Sequence, residues 1–518
     1  MLMNIYRIFG ALVLLCFFTA TKLHAQQPAD GFSREILSGI EKKLNDKKVS
    51  FHSNIQPGAV GFDSLFSSIA DTNSSESKNH LTVRPIYNIS GGFQAQDSAK
   101  PVFGGFAGLE TSWRKNDRWF ANAGYTLNGG SPANYIISMA ATERFLPGSG
   151  YAVNDGNDLF HSHYTYGRFA YNEGKHFHFE IGKGKHFWGD GYRSLILSDN
   201  SSSFPYARIT TNVWKLRYTN LWMQLKDISF GQARSQARTK YAAMHALSLN
   251  ATNKLNISIY ELVVWQDRDS MNKRTLDINY LNPIIFYRPV EYSVGSPDNV
   301  ILATSMKYKI NKNMQFYGQF VLDEFNLKQF RLKKKWWANK IAGQIGFKYF
   351  DIIPGLSFQT EANIARPFIY THGSSVQGWT HLNQPVAHPL GANFIEWANF
   401  IRFEKNDWHF IEQFNWSGFG RDYDVDGNGI AENFGGNITR SYRNPHDGQY
   451  GHEMLQGLKS TFLFNSFTLA RKIKSIPGSE VFFNHVFRYE KTQINSQIDH
   501  FFSVGVKLSG LLSPAIDY

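Results

Sequence analysis

Cysteine is nearly absent: Cys16 is the single one in 518 residues. A lone thiol excludes an intrachain disulfide and a multi-thiolate zinc site. Charged residues make up only 19% of the chain, against about a quarter in ordinary soluble domains. Beyond the first 25 residues no run of about 20 consecutive apolar residues occurs, which argues against membrane-spanning helices. No short blade-like repeat is present, and the Gly-x-Ser-x-Gly elbow of serine hydrolases is missing. What remains is a chain rich in aromatics (15%), with 43 glycines, 12 tryptophans and a formal net charge of +12.

The N-terminus reads as an export signal. MLMNIYRIFG carries one arginine and no acid, ALVLLCFF is a short apolar core, and KLHAQQ suits cleavage after Ala25. The apolar run is short for a bilayer span. Lipid attachment at Cys16 competes poorly, because bulky Leu15 precedes it. Cleavage removes Arg7 and Lys22, leaving a net +10 and no cysteine. On an exported chain this charge suits anionic glycan, lipid head groups or a cell surface better than nucleic acid.

Organisation changes along the chain. In GFSREILSGIEKKLNDKK (31–48), Phe32, Ile36, Ile40 and Leu44 recur every fourth residue, the period of an amphipathic helix. DTNSSESKNH is a polar linker. Residues 26–80 therefore read as a helical segment with its linker, and 81–518 as one unit of period two. Phe177, Phe179 and Ile181 oppose His176, His178 and Glu180. Trp214, Leu216 and Tyr218 oppose Lys215, Arg217 and Thr219, and Phe358, Ala362 and Ile364 oppose Gln359, Glu361 and Asn363. Secreted sandwiches and propellers also alternate. Here the segments are long and many, and aromatics recur near their ends, as in KKKWWANK and DWHFIEQFNW. A lipid-exposed sheet has to close, because an open edge leaves backbone groups unpaired in hydrocarbon. The expectation is an all-β outer-membrane barrel of about 14 to 20 strands.

Four stretches carry candidate chemistry. GKHFWGDGYRSLILSDN, from Gly184, holds His186, Trp188, Asp190, Tyr192, Arg193, Ser194 and Asn200 among bend-forming glycines. A histidine with acids and a serine could serve acid–base or triad chemistry. The plainer reading is a packed loop in which Asp190 and Arg193 pair, and aromatic faces beside planar polar groups also suit sugars. NYLNPIIFYRPVEYSVGSPDN, from Asn279, has three prolines and reads as an ordered inward loop or strand-end turn. Within it Arg288 offers a forked anion site or an ion pair with Glu291, beside Tyr292. RDYDVDGNG places Asp422, Asp424, Asp426 and Asn428 at alternate positions, as a calcium loop does. Its twelfth position is Asn433 rather than glutamate and no helices flank it, so the bland reading is an acidic hairpin loop. KQFRLKKKWWANK, from Lys328, sets six basic residues beside two tryptophans, as at a membrane interface with anionic head groups. His176 and His178 share a strand face, but a metal site needs more ligands than this pair.

The stretch GKGKHFWGDGYRSLILSDNSSSFPYARI resembles the signature of the Wzi-type capsule assembly family. The likeness rests on Trp188, Gly189 and Gly191, then Leu195, Leu197, Ser198 and Asn200, then Pro205. NPIIFYRPVEYSVGSPDN is similar to the form found in Bacteroidota, gliding-motility-associated relatives included. Phe187 stands where a second tryptophan is frequent, and Asp190 where proline is common. The resemblance, over about residue 80 to the end, implies a barrel of about eighteen strands with a small periplasmic helical part, in the outer membrane of a Gram-negative bacterium. It implies non-enzymatic attachment of capsular polysaccharide. Its implied partners are outer-membrane lipid or lipopolysaccharide, surface polysaccharide, and periplasmic or surface proteins. His186, Trp188, Asp190, Tyr192, Arg193, Asn200, Arg288, Glu291 and Tyr292 are the candidate polysaccharide contacts. No cofactor is expected, save calcium at Asp422, Asp424, Asp426 and Asn428. The alternatives are a scaffold for motility or secretion machinery, a transport channel, and a barrel enzyme working through His186 and Asp190.

Overall fold

The computed structural model describes residues 34–47, 50–53, 79–95, 100–116, 118–146, 148–228, 237–268, 274, 277–283, 298–443, 445–446, 448–476, 478–508 and 517. Among the described residues helix α1 (Arg34–Asp46) comes first, inside the helical segment expected from the four-residue spacing. The strands that follow are β1 (Asn79–Ala95), β2 (Lys100–Lys115), β3 (Trp119–Ser131), β4 (Val153–Gly156), β5 (Leu159–Glu173), β6 (Phe177–Gly184) and β7 (Phe204–Val213). Next are β8 (Leu216–Asp227), β9 (Arg238–Asn250), β10 (Leu255–Gln266), β11 (Asn299–Lys309), β12 (Met314–Glu324), β13 (Lys340–Tyr349) and β14 (Leu356–Ala365). The last are β15 (Thr380–His381), β16 (Gln384–Pro385), β17 (Phe394–Lys405), β18 (Trp408–Arg421), β19 (Leu458–Lys472), β20 (Ser479–Thr492) and β21 (Ser496–Leu508). Among the described residues two further α-helices lie in loops, α2 (Asn134–Glu143) and α3 (Leu327–Arg331).

Among the described residues nineteen strands share one antiparallel sheet. Strand β4 pairs only with β5, so eighteen form the wall. Closure is direct: β1 pairs with β21 from Asn88↔Lys507 to Ala95↔His500. Every wall strand thus has two neighbours, which is what a sheet in hydrocarbon requires. The alternation read from sequence sets the two faces. Phe177, Phe179 and Ile181 are exposed on the outside, while His178 and Glu180 are buried toward the lumen. Two strand starts move: His176 sits in the turn before β6, and Trp214 in the turn before β8 with φ 54°, neither in its strand.

Short turns join the strands at one end, as at 214–215 and 406–407, and long loops join them at the other, as at 185–203, 366–393 and 422–457. In outer-membrane barrels the short turns are periplasmic and the long loops extracellular. Helix α1 docks on the periplasmic end. Lys42 bridges Asp351 at 2.7 Å, Asn45 donates to the carbonyls of Asn311 and Lys312, and Glu41 meets Lys348.

The main apolar core lies inside the barrel. Trp188, Leu195 and Leu197 from one loop and Ile369, Tyr370, Trp379 and Val386 from another pack against inward-facing Leu221, Met223, Met244, Tyr260 and Leu262. Residues 279–283 go elsewhere. The sequence reading is an ordered inward loop or a strand-end turn; residues 284–297 lie outside the described residues, and in the described part Tyr280 packs on Trp265 with Ala243 and Val263, and Trp222 donates to its carbonyl. These wall residues alternate with the lumen-facing Ala242, Met244, Leu262 and Val264, so this segment is a strap over the outer wall. Two apolar surfaces compete for a proline-broken aromatic segment here, and the lumen is already filled.

Candidate functional site

The loop from Lys185 to Ser203 leaves the top of β6 and crosses the lumen. Its bend is built on glycine. Gly189 has φ 149°, and a Cβ there would come 2.3 Å from the Gln319 amide on β12. The Trp188 indole is 1% exposed and tilts against Tyr260 at 5.7 Å. Its backbone carbonyl accepts from Ser194 Oγ at 2.6 Å and Gln319 Nε2 at 2.9 Å. Ser194 Oγ accepts in turn from the Ile196 N–H. That hydroxyl closes a local turn, a structural use rather than a nucleophile's.

Asp190 and Arg193 do not pair with each other, contrary to the sequence reading. They leave the turn toward different walls. Lys307 on β11 donates to Asp190 at 2.8 Å and Ser53 donates to it at 2.6 Å. Arg193 bridges Glu396 on β17 at 3.0 Å and Asp517 at 2.9 Å. Glu361 on β14 accepts from the Tyr192 N–H at 2.7 Å and the Arg193 N–H at 3.1 Å. The Tyr192 hydroxyl donates to Asp517 at 2.6 Å. Buried charges need such partners, and the loop finds them on five separate elements. His186 is buried edge-on to Tyr206 at 4.3 Å, and Asn200 donates to the Pro385 carbonyl.

A second loop, 366–393, enters from β14 and interlocks with the first. Tyr370 donates to the Leu195 carbonyl at 2.7 Å, Trp379 Nε1 to the Ile196 carbonyl at 2.8 Å, and the Ser198 N–H to the Val386 carbonyl at 2.8 Å. Its far side is held by Lys240 on β9, which donates to Gly378 and Thr380, and by His381, which accepts from the Lys226 N–H. Sequence reasoning missed this loop and Glu396. The available signal was GWTHLNQPVAHPLGAN, a run of glycine, proline and histidine between two alternating strands.

The extracellular end carries its own cluster. Trp337 packs on Tyr442 at 4.6 Å and on Phe368, Lys334 lies over the Tyr450 ring at 5.6 Å, and Trp336 adjoins Trp337. Burial raises the Tyr442 hydroxyl pKa and lowers that of His372 beside it, so both stay neutral near pH 7. In the acidic loop, Asp422 accepts from the Phe434 N–H at 2.9 Å and pairs with Arg440 at 2.8 Å. Burial raises its pKa more than Arg440 and two backbone donors lower it. Asp424 accepts from the Asn428 and Gly429 N–H groups, while Asp426 is exposed. Those carboxylates fold the loop as turn acceptors. Among the described residues no group of three or more His, Cys, Asp or Glu is arranged to hold a metal ion. Arg288, Glu291 and Tyr292 lie outside the described residues.

No family model matches the chain, and no curated protein matches it. Among solved structures it is similar to Wzi of Escherichia coli, described as a carbohydrate-binding β-barrel involved in group 1 capsule assembly. The TM-score is 0.55 at 11% identity, over 93% of this chain and 100% of that one. Pseudomonas aeruginosa OccK8 (OprE) aligns at TM-score 0.45 and 9% identity, over 83% of this chain and 98% of its own. Acinetobacter baumannii OccAB4 aligns at 0.43 and 7%, over 84% and 99%. At such identities the likeness is one of fold. The chain is a large outer-membrane β-barrel of a Gram-negative bacterium, an architecture compatible with transport and with surface-polysaccharide binding.

Proposed function

We propose that this barrel binds or anchors surface polysaccharide at its extracellular end, without catalysis, and so supports assembly of the cell-surface layer. The interlock of loops 185–203 and 366–393 across the lumen carries the reading: Trp379 and Tyr370 lock onto the carbonyls of Ile196 and Leu195. A lumen filled by a packed apolar core suits a platform better than a conduit. His186, Trp188, Asp190, Tyr192 and Arg193 then act by holding the platform rigid, because all five are buried on protein partners. Sugar contact falls to the exposed aromatic and basic groups above, Lys334, Lys335 and Tyr450, with Trp336 half-buried among them. Similarity to a barrel described as carbohydrate-binding accords with this. Purified barrel titrated with anionic surface polysaccharide should bind saturably, and absence of saturable binding to any surface glycan overturns the proposal.

A transport reading has one observation of its own. On the wall made by β1, β2 and β20, the lumen-facing Asn88, Ser90, Ser112, Arg114 and Glu490 are only partly buried, as groups beside water would be. Conductance of the wild-type barrel in a planar bilayer separates the two. A steady open current favours transport, and a closed baseline with glycan binding favours the platform. A motility or secretion scaffold instead predicts a protein crosslinked to the docked α1 or the outer loops.

A further inference from the structure

Five polar side chains face outward within the lipid-facing belt of β17–β21. Their direction follows from alternation. Gln413 and Asn415 on β18 meet Asp517 in the lumen, so Glu412 points outward with the exposed Trp408 and Phe414. On β21, Asp499 meets Gln94 in the lumen, so His500 points outward with Ile498 and Val504. The same parity puts Asn399 on β17, Asn465 on β19 and His485 on β20 outside, because Ala398, Phe464 and Arg488 are buried inward. Each is bracketed two residues away on its own strand by apolar residues. Trp397 and Ile401 flank Asn399, Phe410 and Phe414 flank Glu412, and Leu463 and Phe467 flank Asn465. Phe483 and Phe487 flank His485, and Ile498 and Phe502 flank His500.

Among the described residues these groups bond only to one another and to the wall itself. Asn399 accepts from Thr360 and donates to the Phe414 carbonyl, Asn465 donates to Glu412 and to the Gln413 carbonyl, and His485 Nε2 lies 3.2 Å from His500 Nδ1. Acyl chains offer no further partner, so a polar row here is costly against lipid. The chain treats another such group differently: outward-facing Glu261 is completely buried on β10, where the strap covers the neighbouring Val263 and Trp265. Over the β17–β21 row, among the described residues, no strap lies.

We propose that the β17–β21 sector is the docking surface for a second copy of this chain. The chemistry is self-complementary. Asparagine and imidazole each carry a donor and an acceptor, so a row of Asn399, Asn465, His485 and His500 can pair with its own image. The one acid, Glu412, is already bonded to Asn465, so two copies bring no bare like charges together. The rings between them, Phe414, Phe467, Phe487 and Phe502, provide the apolar contact area. All copies share one orientation in the membrane, so a two-fold axis along the membrane normal sets this sector against itself.

The test is the oligomeric state of the full chain in bilayers, by single-molecule photobleaching and native mass spectrometry. Wild type is expected to be dimeric. The variant Asn399→Leu/Glu412→Leu/Asn465→Leu/His485→Leu/His500→Leu should keep the heat-modifiable barrel band and lose the dimer, its dimer-to-monomer ratio falling at least roughly tenfold. A monomeric wild type overturns the proposal, as does a folded variant that stays dimeric. If the variant fails to fold, single cysteines with Cys16 replaced decide the matter. Asn465→Cys should crosslink between copies through a short bis-maleimide, and Ile209→Cys on β7 should not. Equal crosslinking at both sites, or none at Asn465→Cys, overturns it. Capture of a different membrane protein at this sector by a monomeric barrel also overturns it.

Discussion

The Ser53 hydroxyl donates to the Asp190 carboxylate at 2.6 Å, which ties the N-terminal segment to the loop that crosses the lumen. Lys307 completes the contact at 2.8 Å on the other carboxylate oxygen, with Phe51 under its ammonium at 3.6 Å from the ring centre. One buried carboxylate therefore connects a periplasmic segment, a wall strand and the plug.

Removing one partner of that pair leaves an uncompensated charge. Lys307→Met is expected to destabilise the barrel by about 3–5 kcal/mol, and Ser53→Ala by about 1 kcal/mol. Urea titration of the heat-modifiable band measures both. The double variant Lys307→Met/Asp190→Asn should recover part of the loss, and a double variant as unstable as the sum of the single changes would contradict the pairing.

Gly189 offers a way to dislodge the plug without touching a charge. A side chain at that position meets Gln319 and requires a backbone angle that L-residues rarely adopt. Gly189→Val should therefore displace loop 185–203 and raise single-channel current well above the wild-type baseline. An unchanged closed baseline with a folded barrel would show that this loop does not seal the lumen.

At the extracellular end, Lys334→Gln together with Trp336→Ala is expected to weaken polysaccharide binding by about tenfold, or about 1.4 kcal/mol. Trp188→Ala should instead lower stability by about 3–5 kcal/mol, because its ring is fully buried in the lumen core. Isothermal titration and urea melts separate the two effects. Binding lost in a fully stable Trp188→Ala barrel would reverse the assignment.

Acid should loosen helix α1. Burial alone would raise the Asp351 pKa, but donation from Lys42 and the Gly355 N–H, with the Lys42 charge, outweighs it and holds the carboxyl below its ordinary 3.8. A depressed carboxyl stabilises the docked helix above its unfolded pKa and loses that contribution as pH falls through the folded pKa. Docking through this bridge should be complete at neutral pH and fade only below pH 3.8. Anisotropy of a dye on Gly39→Cys, whose site is open, measures it, and Lys42→Met should remove this acid step.

Much of the wall was legible because its cause is local. Phe177, Phe179 and Ile181 alternate with polar neighbours, and a strand facing lipid on one side and lumen on the other needs only that period. The candidate loop at Gly184 was legible as a bend with dense polar content. Its partners were not, because Lys307, Glu361, Glu396 and Asp517 follow it by more than a hundred residues and carry no mark of pairing. The sequence leaves the strap at Tyr280 between an inward loop and a strand-end turn, because aromatic and proline content looks the same on either side of a wall.

The sequence by itself determined the closed antiparallel wall, its two faces and a helix ahead of it, since period two, period four and backbone hydrogen bonding act over a few residues. Only the tertiary structure decided what fills the lumen and what covers the outside. Those outcomes depend on which distant carboxylate meets Lys307 or Arg193, and on which buried surface accepts Trp188 and Tyr280. Such pairings are fixed by the geometry of the closed barrel, which places residues from distant parts of the chain at the same depth.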